Sequence, residues 1–207
     1  MERSSVPVSS QGAVATATAP DYFSGYAPAV ARLLIVGGGC RGLALAEAAG
    51  SAGHAVRVVT RAQAHRAGIE AAGAECWIGD PDRLGTLRGA LEGVAIGCWL
   101  LGTAVGPREQ LEALHGDRLR SFLEGAIDTP MRGFLYEASG TVPAGMLAAG
   151  IEVARAIAAR NAIPLTVLRT DPGDPRGWLE GARYAVENLL KTDQDSNNTG
   201  GFPCPAM

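Results

Sequence analysis

Few residues in this chain have the types and spacing that do chemistry, and the clearest of them are suited to holding a ligand. Gly37, Gly39 and Gly42 stand in the spacing G-x-G-x-x-G, with Cys40 and Arg41 between the last two. They follow an apolar, β-prone run, Arg32–Val36, and open a stretch rich in alanine and leucine with a helical pattern. In that context the first glycine permits a tight turn and the second lets backbone approach a pyrophosphate. The third lets helix and strand pack closely. The free N–H groups and dipole of the helix N-terminus attract the phosphate charge. The pattern predicts a bound dinucleotide.

A site that prefers NAD carries an Asp or Glu at the end of the second strand, where it accepts hydrogen bonds from the ribose hydroxyls. Here that end reads Val58–Val59–Thr60–Arg61–Ala62, without an acid. Arg61 stands there and Arg41 lies inside the glycine turn, and guanidinium forks bind phosphate oxygens in pairs. The expected cofactor is therefore NADP(H) rather than NAD(H), the competing account being two solvated arginines. Asp80 follows the third strand, where its carboxylate suits an adenine amino group or a helix N-cap. Gly102 and Thr103, after the fourth strand, bring backbone near the middle of a dinucleotide or make a plain turn.

Candidates for catalysis are thin. Ser139, at the end of the fifth strand, is placed to orient a carbonyl but has no proton-transfer partner of suitable pKa. Glu137 shares a strand face with Ser139 only if the strand stays regular. Tyr136 and Thr141 read as a core aromatic and a turn hydroxyl. Of the three histidines, His115 is the one that could reach a cleft, and a satisfied surface histidine is the favoured reading. Trp178 either floors a pocket or packs the last helix.

These residues need a scaffold, and the chain alternates strand and helix throughout. Expected strands cover 32–36, 55–60, 75–78, 95–101, 133–138 and 164–169. Helices are expected over 41–52 and 62–72, and then after Asp80–Pro81, with Leu84, Leu87 and Leu91 inward. Further helices are expected from Pro107 through Leu123, over 144–160, and over 178–190 after Asp174–Pro175. Gly53 and Gly73 stand where helices end. Six strands alternating with six helices predict an α/β fold, a doubly wound parallel sheet in the order 3-2-1-4-5-6. The glycine turn then falls at the switch point.

With 207 residues the chain has room for one domain, expected over 31–191. Residues 1–30, rich in Ser, Ala, Thr and Pro, read as a disordered leader, and 192–207 as a disordered tail. A net charge of −3 gives no field for nucleic acid or acidic lipid. No apolar segment is long enough to span a bilayer. Cysteines 40, 76, 98 and 204 have no ligand or disulfide spacing, so no metal is expected and a reducing cytoplasm fits. A small-molecule substrate or a regulatory protein partner is expected. A homodimer is compatible with the pattern, though no residue demands one.

The order of these signals resembles the short-chain dehydrogenase/reductase superfamily, in particular its extended and atypical branches. The carriers are the turn Gly37–Gly42, Gly79–Asp80, the strand Gly133–Ala138 ending in Ser139, and Pro164–Arg169 after the alanine-rich helix. The resemblance covers about residues 31–190 and implies Ser139 as the counterpart of the catalytic serine. The superfamily's Tyr-x-x-x-Lys pair, which relays the proton and holds the nicotinamide ribose, would fall near Pro143 and Leu147. Lys191 is the single lysine of the chain, so that relay is excluded by composition. What the resemblance implies is an NADP(H)-binding atypical member: a reductase of a small carbonyl, flavin or quinone substrate without the usual relay. The alternative is a non-catalytic, NmrA-like sensor acting on a protein partner. Leu100–Thr103 is similar to the corresponding phrase of small flavin- and biliverdin-reducing relatives.

Overall fold

In the computed structural model, residues 30–198 are described. Every residue from Leu33 to Val36 is buried, and so is every residue from Ile96 to Leu100. A strand covered on both faces has no need to alternate with polar residues, and such strands belong to parallel sheets between helical layers. The strands are β1 (Arg32–Gly37), β2 (Ala55–Thr60), β3 (Glu75–Ile78), β4 (Ile96–Leu100), β5 (Gly133–Glu137) and β6 (Leu165–Leu168). All pairings are parallel, and the order is β3-β2-β1-β4-β5-β6, as expected. Leu34 sits between Arg57 on β2 and Gly97 on β4, so β1 is the centre of the sheet.

The helices are α1 (Gly39–Ser51), α2 (Arg66–Ala71), α3 (Arg108–His115), α4 (Asp117–Ala126), α5 (Ala144–Arg160) and α6 (Pro175–Asn198). Strand alternation sorts the core into two layers. Leu33, Ile35, Cys98 and Leu135 face α1 and α6, meeting Leu45, Trp178, Ala182 and Val186. Leu34, Val36, Trp99, Phe134 and Tyr136 face the other way, against Leu119 and Phe122 of α4 and Ile151 of α5.

The expected helix after Asp80–Pro81 does not form. The segment holds two short 3-10 turns, Leu84–Leu87 and Gly89–Leu91. Side chains take the backbone groups that a helix would use: Thr86 Oγ1 donates to Arg83 O (2.7 Å) and accepts from Asp80 N (2.9 Å). Trp77 Nε1 donates to Thr86 O at 2.8 Å, and Arg57 Nη1 to Ala90 O at 2.5 Å. Such bonds compete with helix, and Gly85 and Gly89 each weaken it by about 1 kcal/mol. Asp80 is therefore no helix cap; its Oδ1 accepts from Asp82 N in an Asx turn. The leucine spacing was read correctly as inward-facing, since Leu87 and Leu91 are buried.

Three further bounds differ. The helix expected from Pro107 to Leu123 breaks at Gly116 (φ −113°, ψ −107°) into α3 and α4. The helix expected over 62–72 opens with a 3-10 turn, Gln63–His65, and α2 begins only at Arg66. Helix α6 runs through Asn198, into the segment expected as a tail, because no glycine or proline interrupts 191–198. Residues 1–29 of the expected leader and the last nine positions, 199–207, lie outside the described residues.

The break at Gly116 turns His115 into the core rather than to the surface. His115 is 1% exposed, and its Nδ1 lies 2.7 Å from the hydroxyl of Tyr136, which also donates to Leu147 O at 3.3 Å. Gly150 leaves the room: a Cβ there would lie 2.0 Å from that hydroxyl. Burial pushes the imidazole below its ordinary value of 6.5, and the nearby Leu101 carbonyl offsets part of this. Burial, then the neighbouring Glu137 charge, pushes the Tyr136 phenol up. With the folded-state value depressed, the unfolded chain binds the extra proton. Stability is thus complete above about pH 6.5 and falls as the pH drops below it, with a limiting slope of about 1.4 kcal/mol per unit. Urea unfolding from pH 7.5 downward is expected to show this slope in the native chain and its loss in His115→Gln.

Candidate functional site

The apolar run of β1 ends on three consecutive glycines with positive φ, Gly37 (86°), Gly38 (82°) and Gly39 (50°). Gly37 also has no room for a side chain, since a Cβ would sit 2.6 Å from Leu100 O of the neighbouring strand. Gly42 lies beneath the turn, where a Cβ would meet Gly37 O at 2.6 Å. The amides of Arg41 and Gly42 both donate to Gly38 O at 3.0 Å. That leaves Gly39 and Cys40 as the first-turn amides with no intrahelical acceptor, the usual arrangement at a phosphate-binding helix start.

Beside this turn is a cleft of about 490 Å³, within the roughly 300–1,000 Å³ of small-molecule sites. Gly37, Gly39, Cys40, Arg61 and Asp80, all picked out from the sequence, line it together. Its apolar walls come from Val36, Val58, Ile69, Leu101 and Leu114. Missed in the sequence were His65, Val105 and Gln110, which come from the start of the second crossover and from the loop and helix after β4. His65 is held in place by Thr60 Oγ1, 3.0 Å from its Nδ1. Asp82 pairs with Gln110 and Arg118, tying the loop after β3 to α3 and α4 across the mouth.

The remaining expected residues gather at a second point, past the switch between β1 and β4. Glu137 is fully buried, and its carboxylate accepts three bonds. These come from Gly102 N (2.8 Å), Trp178 Nε1 (2.8 Å) and Arg41 Nη2 (3.2 Å). Arg41 Nη2 also donates to Thr103 Oγ1 at 2.9 Å, and its guanidinium lies 5.2 Å from the Trp178 ring centre. Arg41 thus turns inward, while Arg61 is exposed at the cleft. Trp178 packs α6, with no exposed surface, and adds the indole bond. The signal for this network was strand parity: Leu135 faces the α1–α6 layer, so Glu137 does too, toward the start of α6.

No catalytic pair forms around Ser139, which is half-buried, its carbonyl pressed against Gly102. The Tyr136 hydroxyl is committed to the core. Cys40 is exposed while Cys76 and Cys98 are buried, and burial pushes the Cys98 thiol up to about 12. Among the described residues no group of three His, Cys, Asp or Glu could hold a metal, and no helix is long and apolar enough to cross a membrane. Removing one partner from a buried ion pair strands the other charge, at about 3–5 kcal/mol. Glu137→Leu is therefore expected to lower unfolding free energy by about that amount, and Trp178→Phe by about 1–3 kcal/mol, both read by chemical denaturation.

No family model matches the chain, and no curated protein is found to match it. Solved structures do. A short-chain dehydrogenase/reductase superfamily protein from Agrobacterium tumefaciens with bound NAD superposes with a TM-score of 0.55 at 18% identity, over 78% of this chain and 62% of that one. The Citrobacter sp. triphenylmethane reductase complexed with NADP(H) gives 0.51 at 19%, over 67% and 49%. UDP-glucose 4-epimerase from Thermotoga maritima, with UDP-glucose, gives 0.55 at 13%, over 67% and 54%. The chain spans between about half and two thirds of their length. It has the parallel Rossmann-like fold that these dehydrogenase, reductase and epimerase structures share.

Proposed function

We propose that this chain binds NADP(H), with the phosphates at the turn Gly37–Gly42 and the 2′-phosphate at Arg61. The observation that carries this reading is the cleft itself. It joins first-turn amides without acceptors to an arginine, and no carboxylate follows β2 to receive ribose hydroxyls. Asp80, half-buried at the far wall, suits the adenine amino group. His65 stands beside Arg61, fixed by Thr60. The nicotinamide, when bound, supplies a hydride; the chain's own residues bind and orient.

Two uses of such a site are proposed. One is a reductase of a small carbonyl, flavin or quinone, in which the cofactor does the hydride chemistry without a Tyr/Lys relay. The other is a non-catalytic regulator of a protein partner. The second is favoured by the state of the groups nearest the switch point, since Glu137 is buried against Arg41, Trp178 and Gly102 N, and His115 and Tyr136 are buried against each other. None is free to exchange a proton with a substrate. The fold's neighbours with bound NAD or NADP(H) support nucleotide binding and do not separate the two uses.

Loss of a charge-assisted phosphate contact is worth about 1.5–3 kcal/mol, or roughly 10- to 100-fold in affinity. Arg61→Asp is accordingly expected to weaken NADPH by at least about tenfold and NADH little, measured by quenching of nucleotide fluorescence. Equal losses would remove the 2′-phosphate assignment. NADPH oxidation across flavins, quinones and carbonyls then separates reductase from regulator.

A further inference from the structure

In a sheet of this order a dinucleotide lies across the switch point, one half over each side of it. The two sides differ here. The cleft runs over the ends of β1, β2 and β3 and stops against the loop and helix after β4 (Leu101, Val105, Leu114), and the loops after β5 and β6 contribute no wall. On the far side the chain closes on itself. The loop after β4 crosses the loop after β5 backbone to backbone: a Cβ on Gly102 would lie 2.2 Å from Ser139 O, and one on Gly140 2.1 Å from Gly102 O. Val142 N donates to Gly102 O at 3.0 Å, locking the crossing. Joined to the crossing through Thr103 is the Arg41 side chain, bonded to that hydroxyl and to the fully buried Glu137.

Moving Arg41 aside would leave the Glu137 carboxylate buried with no cation beside it. Keeping it in place leaves the phosphates to the exposed first-turn amides and Arg61, since Arg41 does not line the cleft and its Nε is buried. The near side thus fits an adenosine carrying phosphates, and the far side does not fit a nicotinamide ribose. Resting on the assignment of an adenine nucleotide to this cleft, we infer that the site recognises the adenosine 2′,5′-bisphosphate half of its nucleotide. The Arg41–Glu137–Trp178 cluster closes the nicotinamide half. Adenine nucleotides bearing 2′- and 5′-phosphates are then ligands in their own right.

The test is calorimetric titration of the full chain with four probes: adenosine 2′,5′-bisphosphate, NADP+, NADPH and nicotinamide mononucleotide. The first three are expected to bind with dissociation constants within about threefold of one another, and the mononucleotide neither to bind nor to compete. NADPH binding about tenfold or more tighter than the bisphosphate, or displacement by the mononucleotide, overturns the inference and leaves the NADP(H) assignment standing. No binding by any probe overturns both. The paired change Arg41→Ala with Glu137→Gln removes both charges together. It is expected to make NADPH the better ligand by about tenfold. An unchanged ratio in the folded variant overturns the proposed closure, and if the variant does not fold, the native series decides.

Discussion

A carboxylate without access to water holds the centre of this structure together. Glu137 takes one bond each from the glycine turn, the loop after β4 and the first turn of α6, three segments far apart in the chain. A buried charge survives only where its bonds are met and a counter-charge is close. Each of those segments is therefore constrained by the requirement to keep Glu137 satisfied. Gly102 must lack a side chain so that its amide reaches the carboxylate, for a Cβ would stand 3.1 Å from Glu137 Oε2. Trp178 must present its indole edge, which fixes how α6 enters the core.

The same constraint divides the ligand-binding face. Arg41 occupies a position inside the glycine turn where a guanidinium is at hand for phosphate, yet its Nη2 is bonded elsewhere. The exposed guanidinium is that of Arg61, which follows β2 at the edge of the cleft. One arginine is tied into the scaffold and the other is left exposed at the cleft, and the difference comes from a single buried acid four strands away in the chain's order. Spacing within a motif cannot show such a partner; only the packed sheet brings residue 137 to residue 41.

The sheet was legible because each strand is a short apolar run bounded by turn residues, and parallel strands buried on both faces permit little else. Its order followed from right-handed crossovers. The helices were read less well wherever side chains bond to backbone. Thr86, Trp77 and Arg57 seize the carbonyls after β3, and His115 turns inward to Tyr136, effects that combine short side-chain turns with partners 21 and 33 residues away. Local periodicity marked Leu87 and Leu91 as buried without revealing that no α-helix carries them. The near side of the site, built from the residues right after β1, β2 and β3, was legible in the chain. Its far side, built from contacts between loops, was not.

What such a site can report follows from which part of the ligand it touches. A protein distinguishes two ligands, or responds differently to them, only through a difference in binding free energy. NADP+ and NADPH differ in the nicotinamide ring alone. If the cleft takes only the adenosine half, as inferred above, it has no contact through which that difference acts. On that inference, a chain that regulates a partner follows the abundance of its adenine nucleotide rather than the redox state. Catalysis meets a parallel obstacle, since hydride transfer needs the ring held against a substrate within contact distance. Both limits rest on the closure inferred for Arg41 and Glu137, the same pair of charges that keeps the buried carboxylate satisfied.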